Sequence, residues 1–84
     1  MSDRIDYRAL AAHIAGIDLH ADCLALVGRL VDYPGAQWLV GAVLMHAKLT
    51  DSWMIGLSAV SVALQAQNAR FDRGMFEEWC VEGY

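Results

Sequence analysis

Apolar residues recur along this chain at spacings of three and four, and the strict alternation of a half-buried strand is absent. That pattern predicts an all-α protein, a compact bundle of four or five short helices over residues 1–84 as one domain. Tyr7, Leu10, Ala11 and Ile14 define a first helix over about Tyr7–Ala15, capped by Asp6 and stopped by Gly16. Asp18 is the expected cap of a second, over about Leu19–Asp32. Its inner face is Leu19, Cys23, Leu26, Val27, Leu30 and Val31; Asp22, Ala25, Arg29 and Asp32 face water. Pro34-Gly35 then forces a turn.

The third helix, about Ala36–Leu49, is apolar around most of its circumference, which marks a central or interfacial element. The fourth, about Ser52–Gln67 with Thr50 or Asp51 as cap, sorts into three stripes. Trp53, Leu57, Val60 and Leu64 are large; Gly56, Ala59 and Ala63 are small; Ser58, Ser61 and Gln65 are wet. The fifth covers about Arg73–Val81, with Asp72 as cap and Met75, Phe76, Trp79 and Cys80 inward. Gly28, Gly41 and Gly56 each fall inside a predicted helix, where glycine costs about 1 kcal/mol relative to alanine. Close backbone approach is the expected reason.

Composition sharpens the picture. Hydrophobic residues are 57% of the chain and charged residues 19%; ordinary domains run nearer 45–50% and 25%. A chain this short has much surface and little interior, so it should be more polar than average. The surplus predicts an apolar face covered by a partner, foremost a homodimer through helices 3 and 4. The candidate interface residues are Trp38, Val43, Met45, Trp53, Leu57 and Val60.

Net charge is −4, and residues 33–68 carry only Lys48 and Asp51. Phosphate-driven nucleic-acid binding needs a basic stripe that this balance does not supply. A DNA-binding regulator is therefore an alternative only, with helix 4 or 5 as its recognition helix. The uncharged runs Pro34–Ala47 and Ser52–Ala69 fall short of the roughly 20 apolar residues a bilayer span needs. The start, Met-Ser-Asp-Arg-Ile-Asp, lacks the apolar core of a signal peptide. A cytoplasmic protein outside the membrane is expected.

Chemistry-bearing residues are sparse. Cys23 and Cys80 read as reduced thiols in apolar surroundings. His20 and Cys23, three apart on the second helix, share a face, and with His46 and Cys80 they form the alternative reading of a metal- or ligand-binding module. No second close pair supports it, and no signature of a catalytic cysteine is present, so no catalytic, metal or cofactor residues are assigned and an enzyme is not expected. Asp18/Asp22 and Glu77/Glu78 read as solvated acids.

The stretch Asn68-Ala69-Arg70-Phe71-Asp72-Arg73-Gly74-Met75-Phe76, followed by Cys80, resembles the carboxyl-terminal end of small bacteriophage and prophage proteins. Those often end Asn-Pro-Arg-Phe-Asp-Arg, with a phenylalanine three positions on and a cysteine four beyond it. Here Ala69 replaces the proline, Trp79 occupies a usually small position, and four residues follow Cys80. The likeness covers about thirteen residues. It implies a phage origin and a non-enzymatic protein acting on a host protein, for instance as an inhibitor of a defence component in the manner of an anti-CRISPR. Phe71 as a staple beside the Asp72 cap gives the motif a local physical basis.

Overall fold

The computed structural model describes residues 5–83, so most of the amino-terminal stretch read above against a signal peptide lies outside them. The described residues form an all-α bundle of five helices: α1 (Tyr7–Ile14), α2 (Cys23–Val31), α3 (Trp38–His46), α4 (Trp53–Gln67) and α5 (Arg73–Glu82). No strand occurs among the described residues; the only extended pairing there is an isolated bridge between Asp22 and Ser52. α4 is the central element, packing against α2, α3 and α5, while α1 lies against α5 and α2.

Local chemistry fixes the ends of α1, α4 and α5. Asp6 Oδ1 accepts the Ala9 N–H at 3.1 Å, and Asp72 Oδ1 accepts the Met75 N–H at 3.0 Å. Each cap satisfies a donor that the first helical turn leaves orphaned. Ser52, not Thr50 or Asp51, caps α4, its Oγ accepting the Met54 N–H at 3.3 Å. Gly16 at φ +95° ends the first helical segment, which an L side chain could do only with strain. Phe71 does act as a staple: its ring centroid lies 5.3 Å from that of Phe76 and 4.7 Å from that of Tyr7.

α2 and α3 are shorter than their sequence patterns predict, for a non-local reason. The backbone of residues 21–24 is claimed by residues 49–53. Cys23 N–H donates to Asp51 O at 2.8 Å, Leu24 N–H to Leu49 O at 3.2 Å, and Trp53 N–H to Ala21 O at 3.2 Å. An extended backbone at Asp22 is needed for these bonds, so α2 starts at Cys23 and Asp18 caps no helix. Asp18 instead closes a small turn, with its Oδ1 accepting His20 N–H at 2.7 Å. Leu19 and Val31, expected in the core, are exposed. α3 stops at His46 because the Lys48–Asp51 turn follows, held by Lys48 N–H to Asp51 Oδ2 at 2.8 Å.

Arg29, expected in water, is half-buried and bridges two helices. Its Nη1 donates to the carbonyls of His13 (2.7 Å) and Ala15 (3.1 Å), while His13 Nε2 donates to Arg29 O at 3.0 Å. The guanidinium thus satisfies the orphan carbonyls at the end of α1 from α2. Ser61, also expected in water, is fully buried; its hydroxyl donates back to Leu57 O at 3.0 Å. Met75 is exposed instead of core, and Trp79 is half-buried beneath the Arg8 guanidinium, 4.7 Å from the ring centroid.

Of the three internal glycines, one is a point of close approach. A Cβ on Gly56 would stand 3.0 Å from Cys23 Sγ, 3.0 Å from Leu26 Cδ2 and 3.1 Å from Val43 Cγ1. α2 and α3 close on α4 at this position. Gly28 and Gly41 face open space, correcting the expectation that all three mark tight packing. Gly56→Ala should therefore destabilise: overpacking of about 1–3 kcal/mol outweighs a propensity gain of about 1 kcal/mol. Gly28→Ala and Gly41→Ala should each stabilise by about 0.5–1 kcal/mol, raising Tm by a few degrees in thermal melts.

Candidate interaction surface

The core is closed by the chain itself. Leu10, Ile14, Leu26, Leu30, Leu39, Val43, Trp53, Leu57, Val60, Leu64 and Phe76 are all at or below 1% exposure. Four of the six residues expected at an interface are therefore interior: Val43, Trp53, Leu57 and Val60 contribute no surface. The large stripe of α4 points into the core among α2, α3 and α5, and Gly56 lets α2 and α3 approach closely beside it. Trp38 and Met45 do lie outside, at 46% and 81% exposure.

The exposed grease sits on the opposite face of the same two helices. Among the described residues twelve large hydrophobic side chains are exposed, and six of them are on α3 and α4: Trp38, Leu44, Met45, Met54, Ile55 and Val62. Trp38 and Met45, with Gly41 between them, form the outer stripe of α3 at spacings of three and four. On α4 the outer stripe is Ile55, Ser58 and Val62 at i, i+3 and i+7, with the nearly buried Ala59 beside it. His46, Met54, Ile55, Ser58, Ala59 and Val62 together line an open groove of about 470 Å³ between α3 and α4. Small Ser58 and Ala59 lie between the larger Ile55 and Val62 along the helix. Ser58 and Gln65, read from sequence as the wet side, identify the outward direction. Ile55 and Val62 adjoin them on the helix, and that adjacency was the available signal.

A second concavity lies where α1 begins and α4 ends. Tyr7, Trp38, Leu64, Gln67, Asn68 and Arg70 line a cleft of about 1070 Å³, which adjoins a smaller one under Arg8, Phe71 and Trp79. Among the described residues its carboxylates are Asp6 and Asp72, both engaged in helix caps, and no cysteine, serine or histidine lines it.

The thiols face inward. Cys23 is fully buried and donates to Ser52 O at 3.3 Å; burial pushes its pKa up, and the Asp51 and Asp22 carboxylates add to that. His20 lies in the turn before α2, exposed, so it and Cys23 do not share a helix face as expected. Among the described residues no three His, Cys, Asp or Glu side chains are placed to hold a metal. Burial, with a contribution from Glu77, raises Cys80 from its ordinary 9.0 to about 12.

A raised thiol pKa has a definite linkage sign. The unfolded chain releases the Cys80 proton from about pH 9, whereas the folded chain keeps it until about pH 12. Stability contributed by the neutral buried thiol is complete below 9 and is lost as pH climbs through that window. In urea melts the advantage of the native chain over Cys80→Ala should shrink from pH 9 to 12; parallel pH curves would contradict the burial argument.

No helix among the described residues is long and apolar enough to cross a membrane. Comparison with protein-family models, with curated proteins and with solved structures finds no match to this chain.

Proposed function

We propose that this chain is a non-enzymatic interaction protein whose contact surface is the outer face of α3 and α4. The observation carrying the proposal is the groove lined by His46, Met54, Ile55, Ser58, Ala59 and Val62, continuous along α4 with exposed Ile55 and Val62. Folding buries a full core and still leaves these side chains in water, where their exposure is unfavourable at about 25 cal/mol per Å². Apolar surface left at that cost on a small domain marks a place that another protein covers. Charge supports the assignment: α4 carries no charged residue and α3 none but His46, so contact there desolvates no fixed charge.

A role directed at a host protein, as in small phage proteins that modulate or inhibit a defence component, is supported only by the Asn68–Cys80 resemblance. The exposed acids Asp18, Asp22, Asp32, Glu78 and Glu82 offer such a partner a negative surface, suited to a basic patch. Cytoplasmic placement is part of the same proposal.

The test is affinity capture with the native chain beside an Ile55→Arg/Val62→Arg double variant whose helicity is verified by circular dichroism. A partner held by the native chain and lost by the folded variant is expected. Capture unchanged by the double variant would move the contact elsewhere on the molecule.

A further inference from the structure

We infer that the occupant of the α3–α4 groove is a second copy of this chain, docked through an antiparallel pairing of α4 with α4 across a two-fold axis between Ser58 and Ala59. The inference rests on the interaction-surface reading above and names its partner.

Charge selects a second copy first. Two copies at −4 each repel on average, so association is favoured through surface without acids. Among the described residues the exposed acids are Asp18, the caps Asp6, Asp22, Asp32 and Asp72, and Glu78 and Glu82 on α5; residues 52–69 hold no charge. The α4 outer face is thus the region where like copies meet without opposing carboxylates. A basic partner would be drawn to the acidic helices instead.

The spacing of side chains fits a two-fold. An isologous interface sets residue i against j and j against i. With the axis between Ser58 and Ala59, Ile55 of one copy faces Val62 of the other and Val62 faces Ile55. The small, exposed Ser58 stands at the axis beside the nearly buried Ala59 of the groove, so no bulky side chain keeps the two backbones apart there. The large Ile55 and Val62 then pack on either side, extended by Met54 and His46 along the groove walls. A standard interface takes about 800 Å² from each partner, roughly one-sixth of the 5166 Å² this chain exposes. Six exposed large hydrophobic side chains on α3 and α4 contribute apolar area toward that share.

Cross-linking tests the axis itself. Ser58→Cys is exposed, whereas the native Cys23 and Cys80 are buried thiols. Paired Ser58→Cys sites next to a two-fold can reach the Cβ separation of about 3.5–4.5 Å that a disulfide needs. Mild oxidation should convert Ser58→Cys to a covalent dimer while the native chain and a Gln65→Cys control, two turns from the axis, stay uncross-linked. Sedimentation of the native chain should show monomer–dimer exchange, with Ile55→Arg and Val62→Arg each raising the dimer Kd at least about tenfold. A native chain that remains monomeric into the high micromolar range, or cross-linking equal at Ser58→Cys and Gln65→Cys, overturns the second-copy assignment. If that monomer binds the apolar dye anilinonaphthalene sulfonate and Ile55→Arg/Val62→Arg abolishes the binding, only the identity of the occupant has failed. If no dye binds, the interaction surface has failed with it.

Discussion

Trp53→Ala is expected to lower the stability of this protein by about 3–5 kcal/mol in urea or thermal unfolding. Trp53 is the largest side chain with no exposure at all, and it opens the central helix. Its backbone N–H also ties α4 to Ala21 before α2, so its ring sits where two otherwise separate segments are joined. Deleting the ring removes its transfer free energy and leaves a cavity walled by helices that are pinned elsewhere and cannot collapse. A domain of this length has about 4–13 kcal/mol to lose in total, so the variant should sit near the edge of folding. Trp53→Phe should cost far less. The buried indole Nε1 has no hydrogen-bond partner among the described residues, and an orphaned buried donor costs about 1–3 kcal/mol. Phenylalanine removes that donor while keeping most of the apolar bulk. Trp38 and Trp79 remain to report unfolding by fluorescence. A loss under 1 kcal/mol for Trp53→Ala would show that the residue is not the keystone its burial implies.

The sequence was readable wherever structure is decided within a few residues. The Asp6 and Asp72 caps each bond an N–H three positions ahead, and the Phe71–Phe76 contact spans one turn. Such features need no knowledge of the rest of the fold. The start of α2 was not readable in this way. Asp18 is as good a cap as Asp22 by local chemistry, but the backbone bonds from residues 21–24 to residues 49–53 settle the matter, and nothing local announces them. Arg29 was misplaced for the same reason, since its partners are the α1 carbonyls 14 and 16 positions away.

The exposed apolar face was half legible. An apolar excess pointed correctly to exposed grease on α3 and α4, but size was the wrong guide to which residues show. On a helix greasy all round, the side that neighbouring helices close on decides what is buried, whatever the size of the side chain. Trp53, Leu57, Val60 and Val43 lie inside, while Ile55, larger than either valine, and Val62, the equal of Val60, stay outside beside Ser58. Gly56 decides the orientation. Only that face of α4 is low enough to admit Cys23, Leu26 and Val43 at contact distance.

Two arginine substitutions on α4, five residues apart, separate interior from surface with the widest margin. Val60→Arg puts an unpaired guanidinium into a fully enclosed site, where an uncompensated buried charge costs several kcal/mol. Ile55→Arg places the same group on a half-exposed position, where its stem can lie along the helix and its charge stays in water. Circular dichroism melts of both variants, taken dilute enough that each chain is monomeric, test the division of the molecule into closed core and open face. We expect Val60→Arg to lose its cooperative transition and Ile55→Arg to melt within about 0.5 kcal/mol of the native chain. A folded Val60→Arg beside an unfolded Ile55→Arg would mean that α4 faces the other way.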